Sequence, residues 1–415
     1  MKIQKYSIGT GDRFGCQGKA QLKAIIKAER NGIDLAIVWN KSHREHLITK
    51  TKPADVLEEA QNAVRDLGWE GNYFIDADHI SMSNIDLFID SSNYFTLDVA
   101  EFINKKASEA EIEAFVEKHR ELVGDLIISN IKRPLSINKT HIKAIAEKFL
   151  FAIKEAGRMH RLIEEKKGID NFIIEVSMDE TDNPQTPIEI LFILAAISDE
   201  GIPIQAIAPK FSGKFNKGVD YEGDIEQFSQ ELETILAVIQ FATKKFFLPD
   251  NLKISLHSGS DKFSLYGIIN KAIKKYDMGF HLKTSGTTWL EELIGLATSE
   301  EEEGLELTKE IYSKAFSRFD ELSEPYSAVI DINKNNLPHP DQVNKWTNEQ
   351  FVKTLRHDLS CSDYSRDFRQ MLHIAYKIAA EIGQRYTNAL KKYEEIIAKN
   401  VTENIYERHL HQLFL

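Results

Sequence analysis

The sequence predicts an α/β protein: a (β/α)8 TIM barrel with a helical insertion after the fourth strand and a helical carboxy-terminal extension. Three observations carry that expectation. Eight short β-rich runs recur along the chain, most are followed by a longer segment of helical periodicity, and polar residues gather just past the ends of the runs.

In chain order the runs are Ile3–Ile8, Leu35–Trp39, Tyr73–Ile75, Tyr94–Leu97, Phe172–Val176, Gln205–Ala208, Ile254–Leu256 and Phe280–Leu282. Between the first two, Leu22, Ile25 and Ile26 share a helical face ahead of Gly32; between the next two, Val56, Leu57, Ala60 and Val64 do the same ahead of Gly68. Later stripes are Phe228, Leu232, Ile235, Leu236 and Ile239, and then Leu265, Ile268, Ile269, Ala272 and Ile273. Alternation of this kind implies a parallel sheet, and eight units close it.

Two stretches exceed a minimal barrel. Residues from about 99 to 170 hold more than one crossover helix, with Ala107–Val123 and His141–Glu165 both reading as helices. Beyond Leu282 the chain is mainly helical, with a loop around Leu337–Pro340. The expected organisation is therefore a barrel over residues 1–300 carrying the active site, with the insertion at about 99–170, and a helical extension over 301–415 packed on it. The acidic run Ser299–Glu303 is a solvated loop or a helix start.

Composition narrows the function. The 415 residues include 52 Lys+Arg against 64 Asp+Glu, a formal charge of −12, which argues against nucleic acid as a partner because phosphates demand a basic face. Hydrophobic residues at 42% and charged residues at 28% fit a globular chain with a substantial core. Cys16 and Cys361 alone make neither a disulfide framework nor a thiolate zinc site. The amino end lacks the apolar core of a signal peptide and no run is long enough to span a bilayer, so a cytoplasmic protein with no membrane partner is expected. A homo-oligomer stays open.

In such a barrel the carboxyl ends of the strands meet at one rim, where active sites are built. The runs exit into Gly9-Thr10-Gly11-Asp12-Arg13, Asn40-Lys41-Ser42-His43-Arg44, Asp76-Ala77-Asp78-His79 and Asp98, and then into Glu175 through Ser177 to Asp179. The remaining exits lead to Lys210, Lys214 and Lys217, to His257-Ser258-Gly259-Ser260-Asp261-Lys262, and to His281-Leu282-Lys283-Thr284-Ser285-Gly286. Each residue has a bland reading: a lone His packs, a lone Asp caps the next helix, and Gly9-Thr10-Gly11 lacks the remaining glycines of a dinucleotide loop and the Lys of a P-loop. The joint pattern favours a functional rim. Period-two geometry aims Glu175 with Ser177, His281 with Lys283, and Asp76 with Asp78 into one cavity. His79 has the opposite parity and reaches the cavity only if its strand has already ended.

Several blocks together carry a family resemblance. They are Ile8 through Arg13, Asp76 through His79, Glu175-Val176-Ser177 with Asp179-Glu180-Thr181 and Pro184, Lys217 through Tyr221 with Gly223-Asp224, Ile254 through Phe263, Phe280 through Thr284, and Arg369-Gln370 with His373. In these blocks, spread over roughly residues 7 to 377, the sequence resembles the tagaturonate epimerase family, whose members interconvert D-tagaturonate and D-fructuronate with a divalent metal. Longer members carry an additional region before the Gly-Thr-Gly-Asp-Arg turn, and Asn40 through Arg44 departs from the more amide-rich version expected there.

The resemblance implies Asp78 as proton acceptor, Glu175 as proton donor and His79 as a metal ligand. His257 and His281 join as candidate ligands from their location and because imidazole suits a borderline divalent ion, with Ni, Mn and Zn all compatible. Arg13, Lys217, Ser258, Lys262 and Lys283 are the substrate-binding candidates, the cations as anchors for a ketouronate carboxylate. Arg369 and His373, one helical turn apart, either tie the carboxy-terminal helices to the barrel or touch substrate. The inverted carbon of such a substrate is not adjacent to the ketone, so reversible carbon–carbon cleavage is the favoured chemistry. The competing readings are another metal-dependent barrel isomerase or aldolase acting on a sugar acid, and a non-catalytic sugar-acid sensor. In the last, an acid/base pair would have no purpose.

Overall fold

A computed structural model describes residues 1–284 and 286–415; Ser285, part of the exit after the last predicted strand, lies outside the described residues. Its strands are β1 (Tyr6–Gly11), β2 (Leu35–Ser42), β3 (Tyr73–Ile80), β4 (Tyr94–Asp98), β5 (Gly124–Leu126), β6 (Leu135–Ile137), β7 (Ile173–Ser177), β8 (Ala206–Ala208), β9 (Lys253–Leu256) and β10 (Gly279–Lys283). Eight of them close into a parallel barrel in the order β1-β10-β9-β8-β7-β4-β3-β2. All eight predicted runs are barrel strands. β2 and β3 extend further than expected, to Ser42 and Ile80, because polar residues that break the apolar run still pair in the ladder, as Asn40 does with Asp76 and Ser42 with Asp78.

The strands alternate as the pleat requires. One set, including Ile8, Ile37, Ile75, Leu97, Val176, Ile254 and Leu282, packs outward against the helices in the main core. The other set points inward. At the base of the barrel a separate apolar plug of Ile3, Ala36, Val38, Phe74, Tyr94 and Ile173 seals the interior. Above that plug the inward positions turn polar and stay buried, with Ser7, Asp76, Thr96, Glu175, Lys253, Ser255 and His281 each 2% exposed or less.

The crossover helices start and stop where local chemistry dictates. Gly18–Arg30 and Pro53–Leu67 follow β1 and β2; the second opens on Pro53, whose fixed φ suits a first turn, and closes at Gly68 with φ +59, a left-handed cap that glycine adopts without a Cβ penalty. The insertion contains the helix Glu109–Lys118, a 3-10 turn at Arg120–Leu122 and the antiparallel pair β5–β6, which periodicity did not foresee. The predicted helix at His141–Glu165 runs from Lys139 to Lys167 with a π-turn over Ala146–Leu150.

Past β10 the chain is helical. Thr287–Thr298 is buried along its length, and Glu302–Ser317 starts inside the acidic run, where Glu301 and Glu303 both pair with Lys392. Pro340–Val343 forms a short helix at the end of the predicted loop. Among the described residues no helix is long and apolar enough to cross a membrane.

Candidate functional site

The rim holds a cavity of about 330 Å³ lined by residues from most of the strand exits, among them Arg13, Arg44, Asp78, His79, Asp98, Asp179, Lys217, His257, Ser258 and Lys283. Tyr326 and Val329 of the helical extension close one side. A second cavity of about 700 Å³ adjoins it, sharing Arg44, Asp179, Lys217, His257 and Ser258.

How His79 reaches this cavity resolves the parity conflict. The pairing of β3 with β4 slips between Ala77 and Ile80, and His79 adopts φ +54. Asp78 and His79 thus stand as a bulge against β4, and the left-handed backbone swings the imidazole toward the side Asp78 faces. His79 Nδ1 donates to Asp78 Oδ1 at 2.8 Å. Its Nε2 is buried with no hydrogen-bond partner, 3.9 Å from Asp179 Oδ1.

His257, just past β9, is placed in the same manner between two carboxylates. Its Nδ1 lies 3.0 Å from Asp179 Oδ1, and its Nε2 donates to Glu175 Oε1. The rings of His79 and His257 meet edge to face, centroids 5.1 Å apart. One ligand atom each from His79, Asp179 and His257 lies within 4.8 Å of the others, the grouping among the described residues that could hold a metal ion. Two imidazoles and a carboxylate suit a borderline divalent ion.

Glu175 is fully buried on β7. Besides His257 it accepts from the Tyr94 hydroxyl and, at 3.1 Å, from Ser255 Oγ. Lys283 binds the acids together: its ammonium lies 2.7 Å from Asp78, 2.9 Å from Asp76 and 3.8 Å from Glu175, and donates to Thr96 Oγ1 at 2.6 Å. Thr96 in turn donates to Asp76.

These contacts set the protonation states. Burial would raise Asp78, but the charges of His79 and Lys283 outweigh it and hold the carboxyl well below its usual range. Glu175 is likewise held low, burial being overcome by Lys283 and His257. Asp76 goes the other way: burial pushes it up to about 6, against the pull of Lys283. Burial disfavours charge on His257, yet Asp179 and Glu175 keep its affinity for the second proton raised.

Other predicted residues lie apart from this cluster. His281 sits one inward position below Lys283, its Nδ1 paired with Ser7 Oγ at 2.8 Å, and burial drives it down to about 3, so it is neutral. It is not among the grouped ligand atoms. Lys262 is fully buried with its ammonium donating to the carbonyls of Asn216, Val219 and Ser260, so it braces two loops away from the cavity. Ser258 lines the cavity with φ +49. Arg13 lines it too, held by Glu45 at 3.2 Å, the His373 carbonyl at 2.9 Å and the face of Tyr376 at 3.9 Å.

Arg369 supports the structural alternative. Fully buried, it donates to Asp261 and Leu355 O, each at 3.0 Å, and to Gly218 O, tying the extension to two rim loops. The ring of His373 packs against Gly218 and Gly286, where added Cβ atoms would lie 3.0 and 2.4 Å from it.

Sequence reasoning did not single out Asp179 as a candidate ligand, nor Tyr94, Thr96 and Ser255 as partners of the acids. Period two was the available signal: Asp179 continues the inward series Glu175, Ser177, while Tyr94 and Thr96 form the inward series of β4.

Comparison with known proteins fits this geometry. A family profile described as tagaturonate epimerase matches residues 1–413. The tagaturonate/fructuronate epimerase of Thermotoga maritima is 27% identical over 419 residues, spanning 97% of this chain and 80% of that protein. A glycerol-complexed crystal structure of the fructuronate-tagaturonate epimerase of Cohnella laeviribosi superposes with a TM-score of 0.79 at 25% identity, covering 100% of this chain and 82% of the other, and the native crystal structure gives 0.77.

Proposed function

Since the chain belongs to the tagaturonate epimerase family, whose members are isomerases, we propose that it interconverts D-tagaturonate and D-fructuronate by breaking and remaking one carbon–carbon bond at the barrel mouth, in the presence of a divalent cation. The observation that carries the reading is the pairing of acids with imidazoles. Asp78 engages the far nitrogen of His79, and Glu175 the far nitrogen of His257, leaving His79 Nε2 and His257 Nδ1 turned toward Asp179. Carboxylates behind imidazoles are what orient histidine ligands, and the buried, unpartnered Nε2 of His79 fits an ion as its missing partner. His79, Asp179 and His257 would hold the cation, Ni, Mn or Zn by donor type, and it would supply Lewis acidity to the ketone end of the substrate.

Numbered from the carboxylate, the ketone of tagaturonate is at carbon five and the inverted centre is carbon three. The hydrogen on carbon three is not acidified by that ketone, so direct deprotonation is unfavourable. Cleavage between carbons three and four is available. Asp78, ionised, accepts the proton of the carbon-three hydroxyl; the bond's electron pair moves to carbon four, in conjugation with the ketone, and carbon three becomes an aldehyde. The aldehyde turns its other face, the pair returns to carbon three, and the new alkoxide takes a proton from the Glu175 side. Glu175 is held ionised, so that proton is drawn through the Tyr94 hydroxyl or the His257 N–H that it accepts from. Lys283 keeps the acids from repelling one another while the proton moves.

Turnover in D2O tests the chemistry. Cleavage leaves carbon three without deuterium and lets a carbonyl reagent trap three-carbon fragments. Deuterium at carbon three would overturn it.

A further inference from the structure

Four cationic side chains face the cavity, and only some are free to meet an anion. Lys283 is neutralised by Asp76 and Asp78. Arg13 is paired with Glu45, bound to the His373 carbonyl and stacked on Tyr376. Lys217 and Arg44 differ. Among the described residues Lys217 has no carboxylate within ion-pair distance, although the residue lines both cavities and its backbone N–H is pinned to Val329 O at 2.8 Å. Arg44 donates to one neutral acceptor, Pro325 O at 3.3 Å, and lies over the Tyr326 ring at 4.7 Å.

The two belong to one electrostatic feature. Burial lowers the proton affinity of Lys217 against the pull of Glu45, and the guanidiniums of Arg13 and Arg44 are the like charges that act on it, with Glu180 opposing them, so three cations stand close together at this wall. The wall is also built as a unit. The carbonyls and ring that receive Lys217 and Arg44 come from the segment Pro325–Val329 of the extension, and Tyr326 is itself fixed by a 2.8 Å hydrogen bond to Tyr376. A guanidinium lying over a ring keeps its N–H edge free for a planar carboxylate, while an ammonium acts as a point charge from any direction.

We infer that Arg44 and Lys217 together anchor the carboxylate of the substrate, with Tyr326 as the platform that aims Arg44. The inference rests on the ketouronate reading above. It assigns the acid end of the substrate to the wall formed by the β2 exit, the β8 exit and the extension, and the ketone end to His79, Asp179 and His257. The carboxylate then stays held while the aldehyde of its fragment turns.

The test compares the wild type with Arg44→Ala, Lys217→Ala and the double variant, by kinetics on D-tagaturonate and by calorimetric binding of D-galacturonate against D-galactose. Each single variant should raise KM roughly 10- to 100-fold, with a smaller change in kcat, and should weaken galacturonate binding by a similar factor while leaving galactose binding unchanged. A merely structural role would weaken acid and neutral sugar alike. If the wild type epimerises tagaturonate and both single variants keep its KM, the anchor fails and the function stands. If the wild type leaves tagaturonate unchanged, but its preference for galacturonate collapses in the variants, the function fails and the anchor stands. A wild type that binds galacturonate no better than galactose overturns the anchor outright.

Discussion

Lys283 on β10 reaches across the barrel to Asp78 on β3, ammonium to carboxylate 2.7 Å, with both side chains buried. The same ammonium serves Asp76 at 2.9 Å, so one cation compensates a pair of neighbouring acids. Breaking a buried ion pair by removing one partner costs about 3–5 kcal/mol, because the remaining charge has lost its solvent and its partner. Lys283→Met should lower unfolding stability by about that amount in urea titrations. Adding Asp76→Asn should recover part of the loss, since burial already pushes Asp76 up to about 6. A double variant no more stable than Lys283→Met would mean that the acids do not depend on this cation.

Glu175→Gln keeps the shape that receives Ser255 and Tyr94 but abolishes the carboxylate. The expected result is a fall in kcat of about 10²- to 10⁴-fold, the range of acid–base catalysis, with substrate binding retained. Kinetics paired with calorimetry separates this from loss of the fold. A sensor would show no turnover to lose.

Metal content distinguishes the grouped ligand atoms from His281. His79→Ala, Asp179→Asn and His257→Ala should each reduce the bound divalent ion per chain, measured by elemental analysis. His281→Ala should not, because its ring lies one layer lower and contributes no atom to the grouping of His79, Asp179 and His257. Loss in the His281 variant alone would reverse the assignment.

Lys253 stands at the floor of the polar interior, bonded to Gln4 O and 3.5 Å from Ser7 Oγ, and burial lowers it to about 7 from an ordinary 10.5. Between those values the unfolded chain keeps a proton that the folded chain has released. Stability from this group therefore rises with pH, by up to about 1.4 kcal/mol per unit while the difference is a full proton. Urea midpoints measured from pH 7 to 10 should show Lys253→Met losing that upward slope relative to the wild type. Parallel pH profiles would show that Lys253 holds its proton in the fold.

The barrel was legible because its outward strand faces are continuous apolar runs and its crossover helices carry a clear stripe, as in Leu22, Ile25 and Ile26. The β5–β6 pair was not: Gly124–Leu126 and Leu135–Ile137 are three residues each, too short for period two to register. At the rim, the family resemblance marked Asp78, Glu175 and His79, while residue type and location marked His257. They could not separate His281 from the others, since an inward His one layer lower has the same sequence signature. Lys262 meets a related limit: its charge is visible in sequence, whereas the carbonyls of Asn216 and Val219 that its ammonium binds come from a loop whose course only tertiary structure fixes. His79 needed a bulge and a positive φ that no periodicity encodes.

Cation-dependent epimerisation is decided by incubating metal-stripped protein with D-tagaturonate, adding Ni²⁺, Mn²⁺ or Zn²⁺ in turn, and identifying the product by carbon-13 NMR. D-fructuronate is the expected product, approached from either side to the same equilibrium ratio, and only when a divalent ion is supplied. Equal turnover in the stripped protein, or conversion to a product other than the carbon-three epimer, would contradict it.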